Sequence, residues 1–160
     1  MPPPVTKAAL VRELRAALAA ALDAARRAHS AAADGATNPE SRAENSKDTR
    51  GLELSYLARG QAQRVAELEA AVTELGVFAP RAFGAGAAIG LGALVTADED
   101  GEPRRLFVAN HGGGTVLAGD VQVVTPASPL GRALLGKRAG DEVEIALPGR
   151  TRTLALEGVA

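Results

Sequence analysis

The chain is predicted to adopt an α+β fold, an N-terminal antiparallel helical hairpin of coiled-coil type followed by a small β-sheet domain that carries one short helix. Three observations predict it. Apolar residues recur at alternating steps of four and three along residues 6–33, and a second seam with steps of three and four, six of its seven residues apolar, runs along 54–75, a coiled-coil spacing. Beyond residue 87 the apolar period shortens to two, the spacing of strands. Between the strand-like runs, Ser128-Pro129 opens a short leucine-rich segment as a helix N-cap and first helical residue would. The boundary falls in a stretch of turn formers around Pro80, which gives a hairpin over 1–79 and a sheet domain over 80–160.

In the first helix, Thr6 is the expected N-cap and Gly35 the expected residue after its end. Its seam reads Leu10, Leu14, Ala17, Ala21, Ala24, Ala28, Ala31, beginning in leucine and ending in alanine. The second seam reads Leu54, Leu57, Gln61, Val65, Leu68, Val72, Leu75, closed by Gly76. Two helices joined by a short connection return antiparallel. At about 1.5 Å per residue, 28 paired residues make a rod of roughly 40 Å, thinnest at its alanine end.

The connection, residues 34–50, is polar and acidic, with Asp34, Glu40, Glu44 and Asp48. If 40–48 is helical, Glu40, Glu44 and Asp48 share one face, and like charges so spaced repel by roughly 0.2–0.5 kcal/mol per pair. A cation would relieve that repulsion; Arg42, Lys47 and Arg50 could equally neutralise an ordinary solvated turn. Asn38-Pro39 reads as the start of the second helix, and Gly51 as a place where that helix begins late or bends. His29 reads as a solvated helix residue.

Phe78 and Phe83 are the expected plugs of the linker. The expected strands are 88–96 and 104–109 around a polar turn at 98–103, then 121–124, 143–147 and 151–156. Leu130, Leu134 and Leu135 should pack the short helix on the sheet.

Composition excludes several functions. The chain is 46% hydrophobic and 23% charged, which marks a globular protein. Only 2% is aromatic, so a base-stacking platform or an aromatic cage is disfavoured. There is no cysteine, hence no thiolate metal site or disulfide. Residues 1–76 carry ten basic against ten acidic side chains and 77–160 eight against nine, so binding to duplex DNA through counterion release is not expected. Neither a signal-peptide core nor a membrane span is visible, and a cytoplasmic location is expected. His111-Gly112-Gly113-Gly114-Thr115 lacks the lysine and following helix of a phosphate loop and reads as a flexible loop. Two separated histidines support neither a catalytic triad nor a zinc centre, so the chain does not read as a self-contained enzyme.

Val124-Thr125-Pro126-Ala127-Ser128-Pro129-Leu130-Gly131-Arg132-Ala133-Leu134-Leu135-Gly136-Lys137-Arg138-Ala139-Gly140-Asp141-Glu142-Val143 resembles the signature of the C-terminal domain of bacterial Gre transcription elongation factors. Glu67-Leu68-Glu69-Ala70, near the hairpin base, is also similar, and the N-terminal half resembles the family by architecture. The resemblance implies an FKBP-like domain docked at the mouth of the RNA polymerase secondary channel, with the hairpin inside the channel. It implies that tip carboxylates hold an Mg²⁺ ion jointly with the polymerase and promote hydrolysis of backtracked nascent RNA, the polymerase being the enzyme and this chain its accessory.

Residue by residue, Glu44-Asn45 matches the second part of the family's tip pattern, and Ser41 stands where the aspartate would be. Counted from Glu67-Leu68-Glu69-Ala70 instead, Glu44 takes the aspartate's place, Lys47 the glutamate's, and Asp48 lies adjacent. Glu44 and Asp48 are therefore the expected catalytic and metal-binding pair, with Glu40, Arg42, Asn45, Lys47, Arg50, Ser128 and Pro129 as binding residues. Two other readings stay open, a channel-binding inhibitor without cleavage activity and a coiled-coil adaptor unrelated to polymerase. Prolyl isomerisation is disfavoured because Phe107 is the one clear aromatic of the domain beyond the linker.

Overall fold

In a computed structural model, residues 4–37 and 50–160 are described, with side chains omitted at 36, 37 and 50. The chain forms two compact units, one of Arg15–Gly76 and one of Met1–Leu14 together with Val77–Ala160.

The first helix, α1 (Lys7–Thr37), starts where Thr6 predicts. The Thr6 hydroxyl accepts from the Ala9 amide at 3.2 Å, satisfying one of the unpaired N–H groups of the first turn. The helix does not stop at Gly35. It passes through to Thr37, because the missing side chain makes room for a neighbour: a Cβ on Gly35 would lie 3.4 Å from Leu54 Cδ1.

The second helix, α2 (Arg50–Val77), is described from the residue before Gly51 and runs beyond Gly76. Near its end the Arg15 side chain lies where a Gly76 Cβ would crowd it, and Arg15 Nε donates to Val72 O at 3.2 Å. Cross-helix partners run in opposite directions, Arg15 with Val72, Arg26 with Glu69, His29 with Ala58 and Gly35 with Leu54. The helices are therefore antiparallel.

The seam is rotated from the one the spacing predicts. Leu14, Leu18, Leu22, Ala25 and Ala32 are buried and His29 is half-buried, whereas Ala17, Ala24, Ala28 and Ala31 are exposed. Leu18 and Leu22 each bury far more apolar surface than the alanines beside them, and that difference turns the helix by about one residue. On α2, Ala58 sits in the seam and Leu57 is 51% exposed.

The other unit is a six-stranded sheet of β1 (Leu94–Glu99), β2 (Glu102–Val108), β3 (Val116–Leu117), β4 (Val121–Val124), β5 (Glu142–Leu147) and β6 (Arg150–Val159). Their order across the sheet is β3-β4-β2-β1-β6-β5, with β2 and β4 parallel and the other neighbours antiparallel. The first hairpin is tighter than expected. Its turn is the two residues Asp100 (φ 55°) and Gly101 (φ 84°), both left-handed as a type I′ turn requires. Residues 88–93 are not strand, since Gly92 turns the chain at φ 85° against Phe78 and Pro80. The last strand extends past its expected end to Val159: Thr96 pairs with Gly158 and Ala97 with Leu156, so Glu157 is absorbed in a bulge.

The helix α3 (Pro129–Leu134) presses Leu134, fully buried, into a core of Val95, Leu106, Val108, Val143, Ile145 and Leu154. Leu135 does not join it; it caps the helix and is 38% exposed. Phe83 is in this core, with the Lys7 and Arg81 cations over its ring at 4.7 and 4.3 Å. The first two turns of α1 belong to this unit. Lys7 Nζ donates to Arg81 O and Ala160 O, the Glu13 carboxylate accepts from the Ala118 amide at 3.1 Å, and a Cβ on Gly112 would meet Leu14 Cδ1 at 2.6 Å. The glycine loop at 112–114 is thus a close-packing surface rather than a free loop. Among the described residues no helix is long and apolar enough to cross a membrane.

Candidate functional site

The carboxylates expected to act, Glu44 and Asp48, lie outside the described residues, as do Glu40, Arg42, Asn45 and Lys47; of Arg50 only the helical backbone is described. Asn38-Pro39 lies outside them too. What is described is the pair of helices that flanks this segment. Asp34 is exposed near the end of α1. His29, opposite Ala58, presents Nδ1 at 3.0 Å from the Ala58 carbonyl oxygen. A carbonyl can only accept, so Nδ1 carries the proton. Nearer the base, Arg26 and Glu69 pair at 3.0 Å with both side chains about half exposed. Beyond the seam, Leu52 and Tyr56 are exposed on α2, with the Arg59 guanidinium 5.2 Å from the Tyr56 ring.

Ser128 and Pro129 are both on the surface of the sheet unit, and their first task is local. Ser128 Oγ accepts from Gly131 N at 3.0 Å and donates to Thr125 O at 2.8 Å, while Pro129 takes the first helical position, where no N–H is needed. Gly131 is required by its surroundings, since a Cβ there would lie 1.8 Å from Thr125 O. Ser128 and Pro129 also line an open groove of about 220 Å³ with Val123, Leu130, Ile145 and Leu147. Phe107 is fully buried and lines no part of it, so the groove lacks the aromatic wall that a prolyl isomerase would use.

A charged cluster at the β1–β2 end of the sheet was not anticipated. Glu99, 8% exposed, accepts from Arg152 Nε at 2.5 Å and Nη2 at 2.9 Å, and from Arg104 Nε at 2.9 Å. These bonds, Arg152 first, hold its carboxyl below the usual carboxylate range against the opposing effect of burial. Arg152 is raised in turn by its bond to Glu99. The arginines come from β2 and β6, so the carboxylate ties three neighbouring strands. No sequence spacing announces such a contact; it follows from strand order. Lys7 is held below the usual lysine range, first by burial and then by Arg81.

Among the described residues no group of three or more His, Asp or Glu side chains is arranged to hold a metal ion.

Residues 87–159 match the family model for the C-terminal domain of transcription elongation factors GreA/GreB. A GreA transcription elongation factor of Beijerinckia indica subsp. indica is 32% identical over 99 residues, 61% of this chain and 60% of that protein's length. Of solved structures, GreA factor homolog 1 (Gfh1) of Thermus thermophilus aligns over 91% of this chain and 94% of its own, at 24% identity and a TM-score of 0.40. Gfh1 of Thermus aquaticus aligns over 97% and 96%, at 25% identity and a TM-score of 0.41.

Proposed function

We propose that the chain is a Gre-type transcription elongation factor, which binds RNA polymerase through the secondary channel and acts on the polymerase active site through Glu44 and Asp48. The observation that carries this reading is the GreA/GreB match of residues 87–159 on a chain whose N-terminal part is an antiparallel helical hairpin.

Carboxylates are the donors Mg²⁺ takes from proteins, one or two at a time with water and phosphate completing the shell, so Glu44 and Asp48 fit that ion when the polymerase supplies the rest. A metal so held would stabilise an attacking water and the leaving oxygen during hydrolysis of backtracked RNA. The chain itself would supply position and charge while the polymerase performs the cleavage, in the cytoplasm where transcription occurs.

Changing Glu44 and Asp48 together to alanine should leave polymerase binding intact and abolish stimulated cleavage of backtracked RNA. A second reading, a channel-binding inhibitor, is favoured by Ser41 standing in the aspartate's place and by Lys47 in the alternative register. For an inhibitor the same double substitution should relieve inhibition. A double variant equal to the parent in both assays would remove the acidic tip from the mechanism, and failure to retain polymerase in a pull-down would favour an unrelated coiled-coil adaptor.

A further inference from the structure

We propose that His29 is a positioning residue that holds the register of the two helices next to their connection. Its functional part rests on the reading above, in which the depth of Glu44 and Asp48 depends on how the helices are paired.

The buried seam of α1 changes character along its length. Leu18 and Leu22 fill its first half; Ala25, His29 and Ala32 make up its second. Leucines interlock by shape, but alanine methyls offer nearly identical small surfaces at every turn, and α1 carries further alanines at 24, 28, 31 and 33. A pairing shifted by one turn would therefore present another α1 alanine to the same α2 residue. Apolar burial discriminates poorly between such registers, whereas one polar group in a seam specifies register because only one pairing satisfies it.

His29 has that property. Its Nδ1–H reaches a single named acceptor on the other helix, Ala58 O, at 3.0 Å. That oxygen has two lone pairs, so it can serve this bond and the helix together. Leu54 against Gly35 sets how closely the helices approach, while His29 sets which turn of α2 faces which turn of α1. The Arg26–Glu69 pair lies further toward the base and is exposed.

Two opposite outcomes separate this role from a passive one. Alanine is a better helix former than histidine and matches its neighbours, so a passive His29 would make His29→Ala neutral or stabilising. As a register pin, His29→Ala should instead speed hydrogen exchange of the α2 amides between residues 52 and 61 by about tenfold, leaving those near Leu68 and Leu75 unchanged. His29→Gln, whose amide N–H can still donate, should restore most of the protection. In polymerase assays on the full chain, His29→Ala should bind as the parent does yet lose about tenfold in its effect on the active site, with recovery in His29→Gln.

Parent-like exchange in His29→Ala, or equal loosening in both variants, would overturn the register role. Loosened exchange with undiminished effect on the polymerase would overturn the positioning role. A parent chain with no effect on polymerase would sink the proposed function instead, and the exchange measurement would still decide the register.

Discussion

Glu99 is bonded by two arginines on flanking strands, and its depressed pKa has a definite sign for stability. A carboxylate stabilised in the folded state contributes above its unfolded pKa, near the ordinary value of 4.5, and that contribution is lost as pH falls through the lower folded value. Glu99→Gln should cost about 1–3 kcal/mol at neutral pH, the scale of hydrogen bonds to a charged group. In urea titrations from pH 7 down to pH 3, the difference between parent and variant should shrink below about pH 4.5; a difference constant over that range would refute the assignment. Gly131 makes a second residue-scale case. Ser128→Ala removes a cap and should cost about 0.5–2 kcal/mol, whereas Gly131→Ala must displace the Thr125 carbonyl and should cost more than Ser128→Ala in the same thermal melt. The Ser-Pro helix start was legible because capping is local chemistry. The demands on Gly131 and Glu99 were not, because each is imposed by groups outside its own helix or strand.

At the scale of elements, the sequence pattern predicts the two long helices, α3 and all strands but the two-residue β3, and misplaces faces and ends. Period alone could not choose between Ala17 and Leu18, which follow Leu14 by three and by four residues; the area each buries made the choice. Leu18→Ala should therefore cost about 2–5 kcal/mol while Ala17→Ser changes stability by less than about 0.5 kcal/mol, which chemical denaturation will distinguish. Leu134→Ala should also cost about 2–5 kcal/mol, and Leu135→Ala much less, given their 0% and 38% exposures. The glycines at 35 and 76 read as helix ends, yet each lies within a helix, where a neighbouring side chain uses the space. The strand ends moved for comparable reasons: a turn needs only Asp100 and Gly101, and a bulge at Glu157 hides the continuation of β6. As for the site, charge spacing and family resemblance name Glu44 and Asp48, which lie outside the described residues, and no local pattern reveals a hydrogen bond such as that from His29 to Ala58.

For the whole molecule, the division into compact units does not follow the chain linearly, because Met1–Leu14 clusters with Val77–Ala160. A fragment of residues 77–160 should consequently melt lower than the same unit in the full chain, having lost the Lys7, Glu13 and Leu14 contacts. Equal melting of the sheet unit in both would show that the first 14 residues add nothing. Under the proposed function, residues 1–79 alone should bind polymerase much more weakly than the full chain, since the GreA/GreB-type domain would be missing; unchanged affinity in a titration would assign all of the binding to the hairpin.

Strand β6 follows every other strand in the chain and yet lies between β1 and β5 in the sheet. During synthesis, therefore, the ribosome releases five strands before the one that joins them, and β1 waits with an open hydrogen-bonding edge until Arg150–Val159 emerges. The N-terminal helix must wait as well, because Lys7 is bonded to a carbonyl at Ala160. This unit can close only late, after translation has passed its final strand. A ribosome stalled before residue 150 would present a nascent sheet with an unpaired edge, the kind of surface that aggregates or recruits chaperones.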